Sequence, residues 1–184
     1  MSSSVSGTQH LSLRMLIIEI VGILFIIFLG SAFHFTYEFS GNNSVVGSFS
    51  AVNESVWEHL KLAFWPSLLW MLITIVPLRR ATNNFFVAKA FGAYFMVAFI
   101  PTVFYTYTAF MEGSLAIDIG SFIVAVMLGQ IISCLLFKAK RFPTWTEKAA
   151  VAAVVVLAVA FVMFTFYPPR LPFFQDPISA GYGI

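Results

Sequence analysis

At 184 residues the chain has room for one domain, and a composition of 60% hydrophobic against 10% charged residues excludes an ordinary soluble globular protein. The formal net charge of +2, with no basic run, gives no reason to expect a nucleic-acid partner. One cysteine, Cys134, leaves neither an internal disulfide nor a cysteine-clustered zinc site.

The apolar windows predict an all-α integral membrane protein. Five spans form a single transmembrane domain over residues 1–184, each long enough as a helix to cross a hydrocarbon layer of about 30 Å. The first span is expected over residues 13–39. Arg14, the apolar run after it and Gly30-Ser31-Ala32 resemble a cleavable signal peptide. Glu19 interrupts that run, however, and the apolar character continues through Phe33 and Phe35, which favours a retained helix. A loop rich in Ser, Asn and Gly follows, with two weak glycosylation matches at Asn42 and Asn53. The second span is expected over 55–78, the third over 84–111, the fourth over 114–137 and the fifth over 146–167, where Pro168 and Pro169 stop it. The tail 168–184 suits an interfacial segment. On the fourth span Ser121, Ala125, Gly129 and Ser133 step by four, a ridge of small residues that marks it as the expected packing centre.

If five helices alternate, Arg14, Arg79, Arg80, Lys89, Lys138, Lys140, Arg141 and Lys148 fall on one side, while Glu38, Glu54, Glu58, Glu112, Asp118 and Asp176 fall on the other. The positive side is expected to be cytoplasmic, which puts the N-terminus inside, the tail outside and the chain in the plasma membrane as a multi-pass protein.

Chemistry concentrates at the outer ends of the first two spans. His34 and Glu38 are four apart on one face of the first; Glu54, Glu58, His59 and Lys61 open the second. Antiparallel neighbours joined by a short loop would bring both groups to one depth. Two imidazoles among carboxylates suit a divalent metal, zinc first. His34, Glu38 and His59 are the expected ligands, with Asp176 or Asp118 completing the shell. Glu54 or Glu58 would activate water, and Lys61 would steady an anionic headgroup. A plainer account stands beside this one: Ser55 to Glu58 form an S-x-x-E capping box, and Glu54 complements the helix dipole.

Glu19 and Lys89 both fall in the inner part of the bilayer and are expected to form a structural ion pair between the first and third spans. Pro66 and Pro101, the latter followed by Thr102, Tyr105, Thr106 and Tyr107, mark packed kinks or the lining of a path.

The words HFTYEFSGN, VNESVWEHLKLAFWP and YPPRLPFFQDP resemble those of an uncharacterised family of small polytopic bacterial membrane proteins, for which N-E-S-V-W-E-H-L-K is the signature. The resemblance spans most of the chain. It implies the same membrane fold, with Asn53, Glu54, Glu58 and His59 in the signature positions, and implies no activity. The intramembrane zinc hydrolases of the alkaline ceramidase and adiponectin-receptor type match poorly, with seven helices and three histidines at the site.

The expected function is that of a membrane-embedded, metal-dependent hydrolase acting on a lipid or lipid-linked substrate at the outer leaflet. The first alternative is a small transporter or ion-conducting protein, built as a homo-oligomer around Glu19 and Lys89. The second is a structural subunit docking a partner on the ridge of the fourth span.

Overall fold

The computed structural model describes residues 2–184, with side chains from Leu13 onward. Its helices are α1 (Ser2–Phe39), α2 (Ser44–Gly47), α3 (Val56–Leu78), α4 (Phe85–Thr108), α5 (Leu115–Lys138) and α6 (Thr144–Phe166), followed by a short 3-10 turn, Pro172–Phe174. Five are long and apolar enough to cross a membrane, namely α1 from Leu13 onward, α3, α4, α5 and α6. Their bounds fall within three residues of the expected spans. Among the described residues there is no β-strand, only an isolated bridge between Gln175 and Tyr182 in the tail.

Each end of the loop between the first two spans has a local cause. Gly41 takes a left-handed φ of 70°, and α1 closes with the Gly41 N–H on the Glu38 carbonyl and the Asn42 N–H on the Tyr37 carbonyl, a Schellman ending. The Asn43 side chain then accepts from the Val45 and Val46 N–H groups and starts α2, a single turn that the sequence analysis leaves as loop. At the start of α3 the Ser55 hydroxyl accepts the Glu58 N–H, and the Ser55 N–H is taken by the Asn53 side chain.

The packing centre differs from expectation. α3 is the most buried of the five, and α4 touches α3, α5 and α6. The small-residue ridge of α5 is buried as expected, but its use is internal. The Ser133 hydroxyl donates to the Ala88 carbonyl at 3.0 Å, and Gly92 and Gly129 bring the two backbones into contact. A ridge occupied by α4 is not a docking face for another chain.

α1 meets α3 through a second close approach. Pro66 has no N–H to offer the Leu62 carbonyl one turn earlier, and that freed oxygen faces Gly30 of α1 so closely that a Cβ there would overlap it. Gly30 lies one turn before His34 and Leu62 one turn after His59, so the contact sets the spacing of the two imidazoles.

Candidate functional site

At the end of the bundle where α1 finishes and α3 begins, donor atoms from three segments converge. His34 Nε2 and His59 Nε2 lie 3.2 Å apart, Glu54 Oε2 stands 3.4 Å from His59 Nε2 and Oε1 3.8 Å from His34 Nε2, and one donor atom from each residue lies within 4.8 Å of the other two. Each side chain keeps about a third or more of its surface exposed, so the cluster opens to the outside of the bundle.

The protonation of His59 follows from its other nitrogen. Nδ1 lies 3.0 Å from the Ser55 carbonyl, which can only accept, so Nδ1 carries a hydrogen. In the neutral ring Nε2 then presents a lone pair to the cluster. A carbonyl that fixes the tautomer of a histidine in this way is the usual outer support of a metal-bound imidazole. Glu54 is ionised at neutral pH. When His59 is instead the imidazolium, its Nε2–H donates to Glu54; that bond outweighs the cost of partial burial, and the His59 and His34 charges add to it, holding the Glu54 carboxyl below the usual carboxylate range.

These atoms fit a divalent ion. Bonds of 2.0–2.1 Å in tetrahedral geometry place donor atoms about 3.3 Å apart. The separations of His34 Nε2 from His59 Nε2 and of His59 Nε2 from Glu54 Oε2 already match this spacing, while His34 Nε2 has the other Glu54 oxygen, Oε1, as its near neighbour at 3.8 Å. Among the described residues three protein donors converge, which would leave a fourth position of a bound ion to water or substrate.

The remaining sequence candidates are placed otherwise. Glu38 is exposed and outside the cluster: although it shares a helix face with His34, four residues carry it about 6 Å further along α1. Glu58 and Lys61 point into the bundle. Lys61 is 0% exposed and Glu58 1%, and they pair at 2.5 Å. Glu58 also accepts the Val52 N–H at 3.1 Å, and Lys61 donates to the Gly47 carbonyl at 2.7 Å and the Thr165 hydroxyl at 2.8 Å. This buried network joins α2, α3 and α6, so neither water activation nor headgroup binding is open to it.

Asp176 lies beside the cluster without entering it. Its oxygens accept the Ile178 and Ser179 N–H groups and the Ser179 hydroxyl, and the backbone N–H of Glu54 adds a weaker favourable contribution to its charged form. Burial alone would raise its carboxyl; these donors outweigh that and hold it below the usual carboxylate range. The Asn53 side chain donates to the Gly183 carbonyl, and Phe173 and Phe174 pack around Trp57. The tail is thus an outer brace for the segment that carries Glu54.

Asp118, in the first turn of α5, is outside the donor cluster and accepts a 2.7 Å hydrogen bond from the Tyr107 hydroxyl. The sequence analysis misses the Ser55 carbonyl and Gly30 as parts of the site. The second had a signal, because Gly30 is one turn from His34 and Pro66 predicts the unsatisfied Leu62 carbonyl.

Replacement of Gly30 by Val is expected to push α1 off α3, separating the imidazoles while leaving every donor atom present. Zinc affinity, measured by competition with a chelating dye, should fall roughly 10- to 100-fold. Wild-type affinity in Gly30→Val would mean that this contact does not set the cluster.

The fold and its site define a bundle of five long apolar helices carrying an imidazole–carboxylate cluster at one end. The chain belongs to a family of unknown function, DUF6512, whose profile matches residues 9–184. No curated protein and no solved structure matches it.

Proposed function

We propose that this chain is a multi-pass membrane protein, its N-terminus cytoplasmic and its tail outside. On this reading its outer end binds a divalent metal, zinc first, and hydrolyses a lipid or lipid-linked substrate there. Five apolar helices and the gathering of basic residues at the end opposite the cluster support the insertion and its direction. The observation that carries the proposal is the meeting of His34 Nε2, His59 Nε2 and a Glu54 oxygen within 4.8 Å from two helices and a loop.

In this reading His34, His59 and Glu54 hold the metal, which supplies Lewis acidity and lowers the pKa of water. Glu54 therefore takes the part first assigned to Glu38. Asp118, in the first turn of α5, is the carboxylate this reading leaves to receive a proton, since Glu58 is tied to Lys61. The site lies at headgroup depth and opens outward, which suits a substrate whose acyl or isoprenoid part stays in the bilayer. The transporter reading has less support, because Glu19 and Lys89 satisfy each other.

Elemental analysis of the purified protein tests the metal. Stoichiometric zinc is expected in the wild type and in Asp118→Asn, and its loss in His34→Ala, His59→Ala and Glu54→Ala. Hydrolysis of labelled lipid extracts should disappear in all four variants. A wild type that neither retains nor takes up any divalent metal ends the proposal.

A further inference from the structure

The opposite, basic end of the bundle holds a cavity of about 580 Å³, lined by Arg79, Arg80, Ala81, Thr82 and Asn83 from the α3–α4 turn and by Arg141 from the α5–α6 loop. All three arginines are exposed, and among the described residues none is in an ion pair. The segment before Leu13 contains no Asp or Glu that could supply one. Three like charges around one cavity repel one another unless an anion sits among them. Their guanidinium forks suit phosphate oxygens, which they bind two at a time.

The cavity is held open by its own framework. Asn84, 1% exposed, spends its side chain on the α5–α6 loop instead of capping α4: its amide donates to the Leu136 and Lys140 carbonyls at 3.1 and 3.2 Å, and its oxygen accepts the Phe142 N–H at 2.9 Å. Asn83 adds a backbone bond to the Phe137 carbonyl and a side-chain bond to the Ala139 carbonyl at 2.9 Å. The two loops that carry the arginines are thereby fixed to each other. Arg79 is further steadied over the Phe86 ring, 5.1 Å from its centroid.

A lipid source is favoured by what adjoins the cavity. Leu69, Ile73 and Val76 follow one another at steps of four and three on one face of α3, and Arg80 lies four residues on, in the turn just past the helix end. The three apolar members are exposed, Val76 at 86%. A strip of this kind, ending in a guanidinium, can receive an acyl chain whose headgroup turns into the arginines.

We propose that this cavity binds the phosphate of an anionic lipid headgroup with more than one negative charge, at the membrane face opposite the imidazole–carboxylate cluster. The inference rests on the spanning reading and is independent of the metal.

Native mass spectrometry of the full chain, offered phosphatidic acid, cardiolipin or phosphatidylcholine, tests it, with inorganic diphosphate as a separate arm. Both anionic lipids are expected to bind in preference to phosphatidylcholine. Affinity should fall roughly fivefold for each of Arg79→Gln, Arg80→Gln and Arg141→Gln, and the preference should vanish in the triple variant. Lys148→Gln, outside the cavity, and His34→Ala should bind as wild type does. Diphosphate binding that needs the arginines, without lipid preference, would assign the cavity to a soluble phosphate and overturn the lipid source. An anionic preference that survives in Arg141→Gln and in the triple variant would overturn the site itself.

Discussion

Lys61→Met is expected to cost about 3–5 kcal/mol of stability, although Lys61 touches no donor atom of the cluster, whose nearest member in sequence is His59. All three protons of its ammonium group are used, on Glu58, the Gly47 carbonyl and the Thr165 hydroxyl. Removing it leaves the Glu58 carboxylate buried with only the Val52 N–H and a distant Thr165 hydroxyl. Glu58→Gln should cost less, because a neutral amide still offers an oxygen to Lys61 and Val52. The double variant Glu58→Gln with Lys61→Met should recover part of the loss, a coupling that a thermal-unfolding cycle in detergent measures. Residual zinc affinity in folded Lys61→Met should match the wild type. A metal-binding defect without loss of stability would return Lys61 to the site and contradict the structural role argued from its burial.

The same pair shows what the sequence could and could not convey. Hydropathy specifies the long helices, because twenty apolar residues have few other options, and the predicted bounds need only small adjustment. The convergence of His34 and His59 also follows from two antiparallel helices joined by a short loop. Which carboxylate accompanies them does not, since it depends on helix rotation. The S-x-x-E box places Glu58 in the first turn of α3, facing inward to Lys61, and leaves Glu54 just outside the helix, free to turn toward both imidazoles. The HxxxE spacing on α1 likewise gives a shared face but not a shared point of contact, and Glu38, one turn beyond His34, stays outside the cluster. The ridge on α5 announces that a backbone comes close without naming it. α4 is the answer because Gly92 offers the matching gap. α2 is too short for periodicity to reveal, and only its Asn43 cap hinted at it.

Loss of Lys89 alone is expected to be as damaging as loss of Lys61, whereas loss of Glu19 and Lys89 together is not. Lys89 Nζ donates to both Glu19 oxygens at 2.7 Å and stands 5.4 Å from the Phe137 ring centroid, with 2% of Glu19 and 6% of Lys89 exposed. α1 packs mainly on α3 and α5, so this pair is its reach to α4. Lys89→Met strands a carboxyl group in an apolar interior, at a cost of about 3–5 kcal/mol, and should loosen α1 from the bundle. Glu19→Met combined with Lys89→Leu fills similar volume without charge, and should unfold at or above the wild-type temperature because the desolvation of both ions is no longer required. The charge swap Glu19→Lys with Lys89→Glu should recover much of the stability by restoring the pair. These outcomes also separate structure from transport. An ion pair that only joins helices can be replaced by packed apolar side chains with zinc binding and lipid hydrolysis intact. A proton or ion relay cannot, so the double variant would stay folded and lose proteoliposome flux. A double variant as unstable as Lys89→Met would show that burial of these charges is not what sets their cost, and the structural reading of the pair would fall.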